Sequence, residues 1–212
     1  MTYKNLEITL EDGIAVVTIN REKARNALNS ETMLELRDFF GDHALGIEGL
    51  KGVVLTGAGI SVASGLRPYR GPGGLWSEID VQDVVTAAAL ARDPQRVWAF
   101  HVAGRRQALA ARPNAAHEAL ARLEGRLTAG QSMVVLTQNV DGLHQRAGSR
   151  QVVEIHGSLA RARCMRAGCE EVQAAGVDEA CPVCPRCGAW MRPDTVLFDE
   201  PMPVDAEWHS KR

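Results

Sequence analysis

A chain of 212 residues, 45% apolar and 24% charged, can bury a core of ordinary size, as one large domain or two modest ones. Its formal charge of -2 excludes recruitment to nucleic acid or an anionic membrane by bulk electrostatics. No apolar run reaches the roughly 18–20 residues a bilayer span needs, and Met1 to Glu7 has neither the basic start nor the apolar stretch of a signal peptide; a cytoplasmic location is expected.

The chain opens with alternating Leu6, Ile8 and Leu10, a turn at Glu11-Asp12-Gly13, and a second apolar run from Ile14 to Ile19, which predicts a hairpin. Asn29 or Ser30 can then cap a helix with Met33, Leu36 and Phe40 on one side. A new regime begins near Gly49. Gly52 to Thr56 reads as a short buried strand running into Gly57-Ala58-Gly59. Pro94 to Arg112 and Asn114 to Leu127 read as helices, the second with Ala116, Leu120, Leu123 and Leu127 at helical spacing behind an Asn114 cap. Met133 to Thr137 and Val152 to Ile155 are the next strands. Strand, helices, strand, loop is the rhythm of an α/β parallel sheet, interrupted by a cysteine-rich stretch that reads as an inserted module.

Four constellations carry chemistry. Gly57-Ala58-Gly59, with Ser61, Ser64 and Gly65 after it, would let backbone approach a phosphate at the start of a helix, or is only a tight turn. No acidic residue ends an obvious second strand, so the usual dinucleotide fingerprint is not met. Thr137 to Asp141, followed by His144, sits where open α/β sheets bind ligands, beyond a strand's carboxyl end; Asn139 and Asp141 could equally cap a helix. His156, after Val152-Val153 and before Gly157, suits a general base or a structural histidine. All five cysteines lie between Cys164 and Cys187. Cys164-x4-Cys169 and Cys184-x2-Cys187 match a closed, structural zinc site of four thiolates, with Cys181 as the rival partner of Cys184.

Taken together, these residues resemble the sirtuins, the NAD-dependent protein lysine deacylases. Gly57-Ala58-Gly59-Ile60-Ser61-x-x-Ser64-Gly65-Leu66 is similar to the family's GAGIS-x-x-SGI loop, Tyr69-Arg70 to its Phe-Arg, and Gly74-Leu75-Trp76 to its GLW. Thr137 to Asp141 with Leu143-His144 and Ala147-Gly148 resembles TQNID-x-LH-x-x-AG. His156-Gly157 matches the HG of the catalytic histidine, and the stretch from Cys187-Gly188 through Arg192-Pro193 to Phe198-x-Glu200 matches the approach to the substrate strand. The resemblance runs from Lys51 to Pro203.

It implies a partial Rossmann-like parallel sheet carrying a zinc module at about 160–190, preceded by a hairpin and helix. It also implies that NAD and zinc are the cofactors and that acylated lysines of proteins are the substrates, with no nucleic acid or membrane partner. The cofactor residues implied are Gly57, Ala58, Gly59, Ile60, Ser61, Tyr69, Arg70, Trp76, Gln138, Asn139, Val140 and Asp141, with Ile60, Asn139 and Asp141 around the nicotinamide. His156 would be the general base on a ribose hydroxyl. The acyl-lysine oxygen would displace nicotinamide, leaving free lysine and an O-acyl-ADP-ribose. Substrate contacts fall on His101, Gly104, Val196 and Phe198, and the zinc ligands on Cys164, Cys169, Cys184 and Cys187.

Departures from the family pattern are informative. Arg67-Pro68 stands where many members have Pro followed by Asp or Thr, and Asp199 replaces a glycine of the substrate strand. His101 and Gly104 stand where one branch has the Tyr and Arg that select succinyl or malonyl lysine, so neutral acyl groups, above all acetyl, are expected. The chain stops at Arg212, before the family's later strands, which reads as a C-terminal truncation. Residues 13–28 resemble the start of the crotonase family, whose V-V-L-T-G-A-G stretch overlaps Val53 to Gly59, so a 1–50 segment fused to a 51–212 domain is expected. The competing functions are a zinc-binding fragment without turnover and an enoyl-CoA hydratase; the latter lacks its oxyanion stretch after Gly59.

Overall fold

The computed structural model describes residues 2–11, 14–19, 30–47, 49, 51–70 and 73–201. The expected turn at Asp12-Gly13, the Asn29 cap, the crotonase-like 20–29 stretch, and Pro203 to Arg212 lie outside the described residues. The chain divides into two compact units. The first takes the chain up to Pro68, Ala111–Gln138 and Leu143–Val153; the second takes Tyr69–Ala110, Asn139–Gly142 and the chain from Glu154 on.

The first unit is built on a sheet in the order β1-β2-β3-β4-β5. Strands β1 (Leu6–Glu11) and β2 (Ile14–Ile19) pair antiparallel, Leu6 opposite Ile19. Strand β2 then runs parallel to β3 (Lys51–Thr56), and β3 parallel to β4 (Ser132–Thr137) over six residue pairs. The short β5 (Val152–Glu154) continues the sheet, its neighbour Gln151 accepting from the Val135 N–H. Parallel strands need a covered face, and two elements supply it. Helix α5 (Ala115–Arg126) buries Leu120 and Leu123 against Met133 and Val135 of β4, with Val54 and Val152 alongside. Helix α1 (Ser30–Asp38) runs into a π-helical turn, Phe39–His43, whose Phe39 packs with Ala44 on Ala15 of β2.

The second unit pairs helices with a small antiparallel sheet. Helices α2 (Val81–Val84) and α3 (Ala87–Arg92) are short, each started by a side-chain cap, Asp80 and Thr86. Helix α4 (Pro94–Ala110) buries Val97, Trp98, His101, Val102, Arg105 and Ala108, a stripe at helical spacing that includes two polar side chains. Arg105 is held by main-chain carbonyls: its Nε donates to Leu159 O at 2.6 Å and its Nη1 to Gly176 O and Glu179 O, while its buried Nη2 has no hydrogen-bond partner among the described residues. The sheet runs β7-β6-β8, with β6 (Gly157–Cys164) flanked by β7 (Val172–Ala174) and β8 (Met191–Thr195). Trp98 and Val102 of α4 pack on Ala162, Cys164, Cys184 and Met191, so the cysteine-bearing stretch is part of a core. Leu143–Arg146 forms a single helical turn, α6, in the first unit.

Candidate functional site

In the first unit, two of the sequence constellations meet at the carboxyl ends of neighbouring parallel strands. Gly57 follows β3 and Gln138 follows β4, whose N–H continues the ladder to Thr56 O at 3.0 Å. A Cβ on Gly57 would come within 3.3 Å of Gln138 Oε1, so the glycine lets that side chain lie against the loop. The loop itself is a 3₁₀ helix, Ala58–Ser64; Gly65, at φ +86°, closes it by donating to Ser61 O and Val62 O. Within this loop Ser61 is buried, Ile60 packs beneath α5, and Ala58 and Gly59 complete the turn.

Two features of this unit go beyond the sequence: a second role for the expected Asn114 cap, and a buried polar cluster. Asn114 caps α5, its Oδ1 accepting from Ala116 N–H, while its Nδ2 donates to Ile60 O at 2.8 Å and to Ser64 Oγ at 2.9 Å. One side chain therefore fixes both a helix start and the loop. Beneath the strand ends lies a buried polar knot: Thr56 Oγ1 donates to Thr137 Oγ1 at 2.8 Å and lies 3.0 Å from His144 Nε2, and the His144 ring is 4.8 Å from that of His117. Among the described residues His144 is buried, a structural and not a surface-facing position.

In the second unit, Asn139 is buried and Val140 O accepts from the Leu159 N–H, which ties the Asn139–Gly142 loop to β6. The Tyr69 hydroxyl is pushed up to about 12, first by burial and then by the negative charge of Asp141. Its ring stacks on Trp76 at 5.2 Å, and Trp76 stacks on Phe100 and meets Phe198 edge-on. Arg70 holds its guanidinium 5.6 Å above the Phe198 ring. A side chain at Gly74 would come within 2.8 Å of Tyr69 O, so only glycine lets the Tyr69–Trp76 turn close.

His156 is half-buried in the link between β5 and β6, where its carbonyl accepts from the Val196 N–H at 2.9 Å. Val196, Leu197 and Phe198 extend from β8: Leu197 is buried, Phe198 is exposed and its N–H donates to Val85 O. His101 has Nδ1 2.8 Å from Val97 O and Nε2 3.0 Å from Thr195 Oγ1. Burial, with the charges of Arg192 and Arg105, lowers it to about 4, so the ring is neutral at physiological pH. Beside it, Gly104 leaves its would-be Cβ 3.5 Å from Leu159 Cδ1. Asp199, in sequence only a departure from the family pattern, accepts from Ala87 N–H at 2.5 Å and Ala88 N–H at 3.1 Å and fastens this strand to the start of α3. Those main-chain donors, Ala87 first, lower its carboxyl.

The cysteine module converges as its spacing requires. The sulfurs of Cys164, Cys169, Cys184 and Cys187 all lie within 4.8 Å of one another, with 3.5 Å between Cys164 and Cys187 and 3.9 Å between Cys169 and Cys184. A tetrahedron of thiolates at zinc-bond length has edges of about 3.8 Å, so the donor set and its size fit zinc. Gly168 at φ +75° and Gly188 at φ +72° turn the chain beside each pair. A main-chain hydrogen bond from Ala189 lowers the Cys187 thiol, whereas burial raises that of Cys164. Cys181 is outside this group. Among the described residues, no helix is long and apolar enough to cross a membrane.

Known proteins resemble this chain in sequence and fold. The chain is 49% identical over 154 residues to NAD-dependent protein deacylase 2 of Pyrobaculum aerophilum, covering 73% of this chain and 61% of that protein. It is 49% identical over 150 residues to the NAD-dependent protein deacylase of Aeropyrum pernix, covering 71% and 60%. The chain thus spans about three-fifths of the length of these curated relatives. A crystal structure of a Sir2 homolog–NAD complex superposes with a TM-score of 0.64 at 34% identity, covering 87% of this chain and 68% of that one. The model of the Sir2 family matches residues 57–211, which include the Gly57 loop, His156 and all four converging cysteines: the chain belongs to the Sir2 family.

Proposed function

We propose that this chain carries the reacting centre of an NAD-dependent protein lysine deacylase, acting in the cytoplasm on acetylated lysines of proteins. The observation that carries the reading is the main-chain bond from Val196 N–H to His156 O, which sets a histidine of suitable chemistry beside the Val196–Phe198 segment that would receive the peptide. In the first unit, Gly57, Ala58, Gly59, Ile60 and Ser61 form the phosphate-facing loop and Gln138 borders it. In the second, Asn139 and Asp141 offer hydrogen bonds to a carboxamide and a ribose hydroxyl, Val140 is held by Leu159, and Tyr69, Arg70 and Trp76 form the aromatic cover. NAD, when bound, supplies an electrophilic ribose carbon and carries the acyl group away. His156 takes the proton from the ribose hydroxyl.

The acyl-lysine is received by Val196 and Phe198, with His101 and Gly104 behind them. His101 is neutral and both ring nitrogens are engaged, and Gly104 brings no side chain, so neither of these two positions offers a cation to a carboxylate at the end of an acyl group. Zinc on Cys164, Cys169, Cys184 and Cys187 is structural, since four thiolates leave no open position. We also propose that residues 1–50 are a crotonase-like segment joined to a deacylase domain over 51–212 with the zinc module at about 160–190, a reading supported by a family match that starts at residue 57.

The test is nicotinamide release from NAD in the presence of an acetyl-lysine peptide. Release that disappears in His156→Ala, with zinc content unchanged, supports the assignment. Zinc binding without release would mean that the chain is a metal-binding piece without turnover, and a preference for succinyl-lysine over acetyl-lysine would overturn the acyl assignment.

A further inference from the structure

The second unit holds a cleft of about 410 Å³ between α3 and the turn that carries Cys164. Its size lies within the range of about 300–1,000 Å³ that receives ligands. Three guanidinium groups line it, those of Arg163, Arg166 and Arg192, and no carboxylate does; Leu90 and Met165 are the large apolar members. The three cations are not equivalent. Arg192 is neutralised by Glu200 and also donates to Thr195 O. Arg163 lies 3.7 Å from Asp194, a carboxylate already held by Arg161 at 2.8 Å. Arg166 is exposed and has no ion-pair partner among the described residues. Arg166 therefore brings an unpaired positive charge to the cleft and Arg163 one that is only partly offset, while buried Cys164 brings the negative charge of a zinc-bound thiolate to the same lining.

An apolar ridge borders the same cleft. Met165, Val183 and Trp190 are 49%, 53% and 63% exposed. Their main chains are neighbours, since Met165 N–H donates to Trp190 O and Val183 bridges Trp190 antiparallel. A tryptophan left this open, on main chain bonded to the residue before an unpaired arginine, has the composition of an interface hot spot.

We propose that this cleft and ridge dock an acidic segment of a partner protein, its carboxylates on Arg166 and Arg163 and an apolar side chain of the same segment against Leu90, Met165 and Trp190. Charge complementarity selects this occupant, because a carboxylate supplies the counter-ion that the exposed Arg166 side chain lacks, and the apolar neighbours favour a side chain over a bare anion. The docking is independent of the deacylase reading, and its test needs no turnover.

Fluorescence anisotropy of the zinc-loaded full chain with a labelled glutamate-rich peptide bearing one central leucine measures it. The expected result is binding that weakens with added salt, about tenfold in Arg166→Glu, and severalfold in Trp190→Ser, with melting temperature and zinc content unchanged. Arg186→Glu makes the same change in net charge on the same module outside the cleft, and it should leave binding intact. Equal binding of the lysine counterpart, indifference to Arg166→Glu, or displacement of the peptide by an equal concentration of acetate would overturn the proposal. So would a self-association of the chain that Trp190→Ser abolishes, which would assign the ridge to a second copy.

Discussion

At Gly157 the main chain adopts φ +81°, and a Cβ there would collide with the carbonyl oxygen of Asp194. The collision is with backbone on the neighbouring strand, so no side-chain rotation relieves it, and the positive φ adds its own strain. Gly157→Ala should therefore destabilise the chain by about 3 kcal/mol or more and pull His156 out of register with Val196. Thermal denaturation and nicotinamide release measure the two effects, and a variant that keeps wild-type values for both would sink the idea. His101 makes a different prediction, about pH. Its folded value lies near 4, below the ordinary value of 6.5, because burial disfavours the imidazolium. Below pH 6.5 the unfolded chain takes up a proton that the folded chain refuses, so stability falls as the pH drops from 6.5 toward 4 and is flat with respect to this group below that. The full loss is about 3 kcal/mol. In melts between pH 7 and 5, His101→Asn should flatten this slope; an unchanged slope would place the titration elsewhere.

Elements here are tied by single polar side chains that serve two masters. Asn114 starts α5 and holds the Gly57–Ser64 loop through Ile60 O and Ser64 Oγ. Asn114→Ala should cost about 1–2 kcal/mol for the lost cap and also raise the NAD concentration needed for half-maximal rate. Asn114→Asp keeps the cap acceptor but loses the amide donors, so it should recover stability without recovering NAD affinity, which separates the two roles in one pair of measurements. The cap itself was legible in sequence, because capping and helical periodicity are local. So were β3, β4 and the cysteine spacing, each decided within a few residues. The second set of bonds was not. Asn114 and Ile60 are 54 positions apart, His101 and Thr195 are 94, and Asp199 and Ala87 are 112. A polar residue in sequence announces that it needs a partner, not which one. The 3₁₀ form of the Gly57 loop was hidden for a related reason, since a glycine-rich turn is compatible with either helix until the tertiary bonds to it are formed.

Across the whole chain, the cysteine module has consequences in one unit and none visible in the other. Cys164 and Cys184 pack with Trp98, Val102, Ala162 and Met191, so four sulfurs in close approach sit inside the second unit's core. Without a metal, thiols or thiolates so close together lack the cation that joins them, and the strand that ends at Cys164 loses its anchor. The first unit's core, Leu120, Leu123, Met133 and Val135 with its apolar neighbours, contains no cysteine. Chelation should therefore red-shift the emission of Trp98, which is 1% exposed, while backbone amides of β4 and α5 keep their protection from hydrogen exchange. Trp98→Phe should lack the shift, which separates it from changes at the exposed Trp190. The same geometry sets the stoichiometry. The native chain and Cys181→Ser should each bind a single zinc, because Cys181 is outside the converging set, whereas Cys187→Ser should lose it. Retention of zinc by Cys187→Ser and its loss from Cys181→Ser would move the fourth ligand to Cys181; loss of exchange protection in both units on chelation would show that the metal holds the entire molecule together.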